Sequence, residues 1–237
     1  MEEHLEGVPK LLHSEIVARF TLGYFLENIA VRSNRTLLVT NMIVGQIFYV
    51  DPRHNDPEST IQLIHDFNTA EAPPEDDEET GKVTTHPPWP ALNGPEYFTG
   101  QIFGTVIDRG TLVKMQVDET GEYKSGSLEL VVNQFIGDDF AFYCERSAYV
   151  ATDPAHTVSK FVQIATEPQK GERLKILGGL DKKETAGRTV SALGRGENDS
   201  DCIYVVTCGG VVNPIGNNGS GQALIAKVRV GVTGEAC

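Results

Sequence analysis

The stretch Leu26-Glu27-Asn28-Ile29-Ala30-Val31-Arg32-Ser33-Asn34-Arg35-Thr36-Leu37-Leu38-Val39-Thr40 reads as an apolar strand, a polar turn and a second apolar strand. The same order recurs from Asp138 to Thr152, where Phe140-Ala141-Phe142 and Ala148-Tyr149-Val150-Ala151 flank a turn of small and charged residues. A looser copy runs from Ser191-Ala192-Leu193 through the loop at Gly196–Ser200 to Cys202-Ile203-Tyr204-Val205-Val206-Thr207. One such hairpin cannot bury both faces alone, so its repetition writes a radial or stacked β array.

Working outward, Glu15–Phe20, Gln46–Val50, Ile61–Phe67, Glu96–Phe98, Gln101–Val106, Thr111–Val117 and Ser127–Val132 carry strand pattern, with Asp118-Glu119-Thr120-Gly121 as a hairpin turn. Strands follow at Val158–Ile164, Leu174–Leu177 and Ala223–Val230. The recurring unit is about 45 residues, the size of a four-stranded propeller blade. An open ring would leave unpaired edges, so Ile16–Phe20 is expected to close it beside Ala223–Val230. The expected organisation is an amino-terminal arm over 1–14 and a single all-β propeller domain over 15–237. That domain is interrupted at 68–95, where Pro73-Pro74, the run Glu75–Glu79 and Pro87-Pro88-Trp89-Pro90 offer no strand period.

The chain has 237 residues, 40% hydrophobic and 22% charged, which is an ordinary globular composition able to bury a full core. Its formal charge of -13 and the lack of a Lys/Arg stripe argue against a nucleic-acid partner. No stretch is long enough to span a membrane. Met1–Ser14 has neither a basic nor an apolar leader segment, so the default compartment is the cytoplasm. The sequons at Asn34, Asn198 and Asn218 do not decide otherwise. Cys144, Cys202, Cys208 and Cys237 show no CxxC spacing. Cys202 and Cys208 on one strand would stand about 20 Å apart, so buried free thiols are expected. No GxSxG elbow, HExxH pair or phosphate-binding glycine loop is present. Of the six histidines, only His86 and His156 draw notice, and both are expected at the surface.

On these residues the chain resembles the six-bladed propellers of the senescence-marker-protein/gluconolactonase family, above all its fungal branch tied to natural-product genes. Leu26–Asn34 is similar to the first-blade signature of that branch, Leu92-Asn93-Gly94 to its central Asn-Gly and Gly137–Phe142 to its later Asp-rich turn. Gly187–Gly210 is similar to its last blade, and the likeness covers 15–67 and 91–232. The chain departs from the family between Glu27 and Asn93, where the proline-rich and acidic segment stands in place of about two blades. The propeller is therefore expected to be incomplete.

The resemblance implies two chemistries. Metal-dependent lactonases of the family hold a divalent cation with carboxylates and amides at the axial mouth. Glu27, Asn93 and Asp138 match that pattern, with calcium, magnesium or manganese as the suitable ions. The fungal branch instead implies a metal-independent hetero-Diels-Alder enzyme of meroterpenoid biosynthesis. Such an enzyme joins a polyketide-derived quinone methide to a terpene alkene and needs no cofactor. Glu27, Asn93 and Asp138 would then be its catalytic polar groups, and Asn28, Trp89, Tyr97, Phe98 and Asp139 its substrate contacts. Small molecules are the expected partners in either case. The favoured expectation is the cycloaddition, because the local motifs are closest to the fungal branch and a second family Asn falls in the missing region. Relatives in that family are often secreted, which stands against the cytoplasmic default. A plainer reading of the same residues also stands: Glu27 serves blade backbone, Asp138 and Asp139 shape a turn, each aromatic is core, and the chain is a degenerate binding propeller.

Overall fold

The computed structural model describes residues 11–66, 93–143, 146–164, 172–180, 182, 186–216 and 219–232. They form four four-stranded antiparallel sheets arranged as blades of a β-propeller. The first blade is β2 (Leu26–Val31), β3 (Leu37–Asn41), β4 (Gln46–Val50) and β5 (Gln62–Asp66). The second is β6 (Asn93–Phe98), β7 (Gln101–Val106), β8 (Thr111–Gln116) and β9 (Glu129–Val132). The third is β10 (Phe140–Phe142), β11 (Ala148–Thr152), β12 (Thr157–Phe161) and β13 (Arg173–Gly178). The fourth takes β14 (Arg188–Leu193), β15 (Cys202–Thr207) and β16 (Gln222–Arg229) from the carboxyl end, and its outer strand, β1 (Ser14–Leu22), from the amino end.

That last pairing is the expected closure. It runs antiparallel, with Ser14 opposite Val228, Ile16 opposite Ala226 and Leu22 opposite Gln222, and it covers the edge that β16 would otherwise expose. It also brings Val17, Ala18 and Phe20 into the core between the first and fourth blades, against Leu37, Val39, Phe48, Tyr204 and Ile225. A second core joins the second and third blades through Phe98, Phe103, Leu112, Phe142 and Phe161. A third joins the third and fourth blades through Tyr149, Val158, Leu177, Ile203 and Val228. The blades thus pack in the order first, fourth, third, second. Among the described residues no core cluster and no closely packed strand pair joins the first blade to the second.

Local chemistry explains the elements. Strand β11 is buried at every residue and is written Ala-Tyr-Val-Ala-Thr, without charge, because both its faces meet neighbouring blades. Strand β5 carries Gln62, His65 and Asp66 at an outer edge and is mostly exposed. The expected turn at Asp118 forms as an Asx turn. Asp118 Oδ1 accepts from the Thr120 amide at 2.8 Å, the Thr120 hydroxyl at 2.6 Å and the Glu122 amide at 3.0 Å.

Three expectations are corrected. Asn93-Gly94-Pro95, read as the end of the patternless connection, open the inner strand β6; a register shift between Asn93 and Glu96 puts Pro95 in a bulge, where its missing N–H breaks no ladder bond. Ser14, assigned to the arm, is the first residue of β1; the arm's residues 1–10 lie outside the described residues. His156, expected at the surface, is fully buried, and its Nδ1 accepts from the Gly187 amide at 2.7 Å; the β11–β12 turn that carries it is pressed between the third and fourth blades. Cys202 and Cys208 are free and buried, as expected. Among the described residues no helix is long and apolar enough to cross a membrane.

Candidate functional site

Each inner strand begins at the same end of the array, and there the first residues of different blades meet. Register shifts between Leu26 and Ile29 on β2, Asn93 and Glu96 on β6, and Arg188 and Val190 on β14 bulge these strands near their starts. A bulge re-aims the side chains at a strand end, which is how residues from separate sheets come to one point. The mouth so formed gathers Glu27, Asn93, Glu96, Asp138 and Asp139. The Asn93 side-chain amide donates to Asp138 Oδ1 at 2.5 Å and also hydrogen-bonds the Glu27 carboxylate, so it bridges two acids from different blades. Gly94 has φ +52, and a Cβ on it would stand 2.2 Å from Asp139 Oδ1. The absence of a side chain there lets the Asp139 carboxylate lie over the strand.

The electrostatics follow from burial and crowding. Asp138 is 6% exposed, and burial first, then the charges of Glu27, Asp153 and Asp139, push its pKa up to about 9. Glu27 is raised to about 7 chiefly by burial, with the Asn93 hydrogen bond holding it down in part. Burial raises Glu96 to about 7, aided by Asp139, and Asp139 to about 6 against the pull of the Phe140 amide, which it accepts at 2.6 Å. Among the described residues none of the groups acting on these four carboxyls is a cation. The mouth therefore holds several acids that keep their protons toward neutral pH. A protonated carboxyl can donate a hydrogen bond, which a carboxylate cannot.

The other sequence-predicted residues fall elsewhere. Asn28 is exposed, its backbone amide donating to Thr40 Oγ1 at 3.1 Å, because alternation along β2 turns it from Glu27. Phe98 is 8% exposed and belongs to the core between the second and third blades, stacked on Phe142 with ring centroids 4.6 Å apart. Its neighbour Tyr97 points to the opposite sheet face and is 65% exposed. Phe98 is thus core and not a wall of the mouth. Trp89 and His86 lie outside the described residues.

Two acids were not singled out from the sequence. Glu96 follows the Asn-Gly pair within the bulge of β6. Asp153 follows β11 and is buried; one carboxyl oxygen accepts from the Cys208 thiol at 3.2 Å and the other has no hydrogen-bond partner among the described residues. Nothing in local sequence marks Asp153: pairing within the third blade, where the Asp138 amide donates to the Ala151 carbonyl at 2.9 Å, sets it near Asp138, and only the packing of blades brings Glu27 of the first blade within its range. As for a cation, the oxygen chemistry of Glu27, Asn93 and Asp138 suits one. Among the described residues no group of three His, Cys, Asp or Glu side chains is placed to hold an ion, and the Asn93 amide bridges the Glu27 and Asp138 carboxyls.

No family model matches the chain, and no curated protein matches it. Solved structures do. A luciferin-regenerating enzyme aligns at 14% identity and TM-score 0.50, over 89% of this chain and 63% of that one. Regucalcin from Agrobacterium tumefaciens strain C58, described as a calcium-binding protein, aligns at 11% identity and TM-score 0.42, over 88% and 63%. A Trichoderma reesei carbohydrate-active enzyme of family AA12 aligns at 15% identity and TM-score 0.39, over 96% and 57%. The chain thus spans less than two thirds of the length of each. At such identities a likeness speaks for fold alone, and with the sheet order above it gives an all-β propeller with four described four-stranded blades.

Proposed function

We propose that the chain is a propeller enzyme of natural-product biosynthesis that promotes a metal-independent hetero-Diels-Alder reaction between a quinone methide and a terpene alkene. The observation that carries this reading is the buried Asp138 carboxyl, held against Asn93 and crowded by Glu27, Asp139 and Asp153, so that burial and like charge favour its protonated form. Such an acid donates a hydrogen bond to the quinone-methide oxygen and draws electron density from the heterodiene. The alkene then adds in one step: its π bond and the heterodiene's C=C and C=O π bonds are spent on one C–C bond, one C–O bond and the restored aromatic C=C, with no proton or electron lost. Fixing both partners face to face contributes most of the remaining acceleration, since a held pair avoids the entropy of encounter. Glu27 and Asp139 set the polarity around the oxygen, and the upward shift of Glu27 reduces the negative charge that the mouth turns toward electron-rich partners.

The second reading is lactone hydrolysis with a divalent cation at Glu27, Asn93 and Asp138. The surplus of oxygen donors over cations favours it, whereas the placement of the Asn93 amide between the acids does not. One experiment separates the two. The purified chain is given a quinone methide generated in place, a terpene alkene and, separately, an aldonolactone, each with and without a chelator. Stereochemically enriched adduct at a chelator-independent rate, lost in Asp138→Ala, is expected. Racemic adduct at the background rate overturns the proposal; lactone hydrolysis that the chelator abolishes installs the second reading, and neither activity leaves a binding propeller.

A further inference from the structure

Thr105 lies on β7, the second strand of its blade, and is fully buried. Its hydroxyl reaches two backbone carbonyls, that of Asn93 on its own blade at 3.1 Å and that of Asp138 on the next blade. These are the two residues whose side chains meet at 2.5 Å in the mouth. One hydroxyl proton shared between both carbonyls therefore fixes the separation of the backbones that carry the short contact. Packing holds the hydroxyl in place. The Thr105 methyl group lies 3.0 Å from where a Cβ on Gly137 would stand, so only glycine at 137 leaves it room. Other hydroxyls also tie blades together without touching Asn93 or Asp138: Thr189 donates to the Leu26 carbonyl at 2.8 Å and Ser191 to the Tyr149 carbonyl at 2.6 Å.

We propose that Thr105 is the positioning residue of the mouth, setting the Asn93–Asp138 hydrogen bond through the two carbonyls it braces. This rests on the reading of Asn93 and Asp138 as site residues, but its test does not require the proposed reaction. In the nitrogen-15-labelled full chain, the Asn93 side-chain amide protons report the contact directly through their chemical shift and their exchange with solvent. Thr105→Val keeps the shape and removes the donor. It is expected to move the Asn93 resonance upfield and to speed its exchange about tenfold, the factor that corresponds to losing one buried hydrogen bond of ordinary net strength. Thr105→Ser, which restores the hydroxyl, is expected to restore the signal. Ser191→Ala removes an equally buried brace between blades and is expected to lower the melting temperature while leaving the Asn93 signal in place. The proposal is overturned if Thr105→Val leaves that signal unchanged, or if Ser191→Ala disturbs it equally. A failed cycloaddition assay alongside the expected Asn93 shifts would count against the proposed reaction only.

Discussion

The Asn93 side-chain amide donates to Asp138 Oδ1 across 2.5 Å, joining the starts of two blades 45 residues apart in sequence. Replacing Asn93 with Leu removes the donor and leaves the acid without its neutral partner. Unfolding in urea should show a loss of about 1–3 kcal/mol, the ordinary cost of an abandoned buried polar group. The Asp138 carboxyl should titrate higher still, since the Asn93 bond is the one contribution that lowers it. Carboxyl carbon NMR would read that change.

Stability should fall as pH rises through the neutral range. Asp138 stands near 9 and Glu27 near 7 in the folded chain, against ordinary values of 3.8 and 4.5. Between the ordinary and the folded value, the native state holds a proton that the unfolded chain has released, so higher pH favours unfolding. Their contribution is complete below about pH 4 and is lost as pH climbs through 7 and then 9, with a slope of at most about 1.4 kcal/mol per unit for each proton. Asp51 and Asp118 are lowered by hydrogen bonds and act in the opposite sense only in acid. Urea midpoints between pH 5 and pH 9.5 test this, and Asp138→Asn should flatten the upper part of the curve.

Two glycines with positive φ should respond differently to alanine. Gly100 has φ +78 with nothing among the described residues within 4 Å of a Cβ, so Gly100→Ala pays only the backbone penalty of about 1 kcal/mol. Gly94→Ala adds a 2.2 Å collision with Asp139 Oδ1 to the same backbone penalty. A destabilisation about 2 kcal/mol larger than that of Gly100→Ala is expected, since displacing a packed neighbour typically costs that much. Thermal and urea melts of the two variants side by side provide the comparison.

Adjacent aromatics on β6 offer a contrast between core and surface. Phe98→Ala empties a site between blades and should cost about 3–5 kcal/mol. Tyr97→Ala, on the exposed face, should change stability by about 0.5 kcal/mol or less. If Tyr97→Ala proves as costly as Phe98→Ala, the assignment of the two sheet faces is wrong.

Much of the fold was legible in sequence because a propeller is built from local units. The hairpin at Leu26–Thr40 and its copies declare themselves through alternation and turn residues, which depend on neighbours a few positions away. Even the pairing of β1 with β16 could be inferred, since an uncovered edge is costly wherever it occurs. Pro95 misled the reading at one boundary, because a bulge tolerates proline where a regular ladder does not.

The site was legible only in part. Glu27, Asn93 and Asp138 were singled out through motif likeness, and the structure places them beside one another at the mouth. Sequence alone thus determined the β architecture, the repeat and the residue types at the strand starts. Tertiary structure decided which of those residues face one another, that Phe98 is core, that Asp153 and Glu96 join the acids, and that Thr105 spans two blades. The physical reason is range: strand pattern is set by neighbours in the chain, whereas desolvation and charge coupling are set by groups that only blade packing brings close.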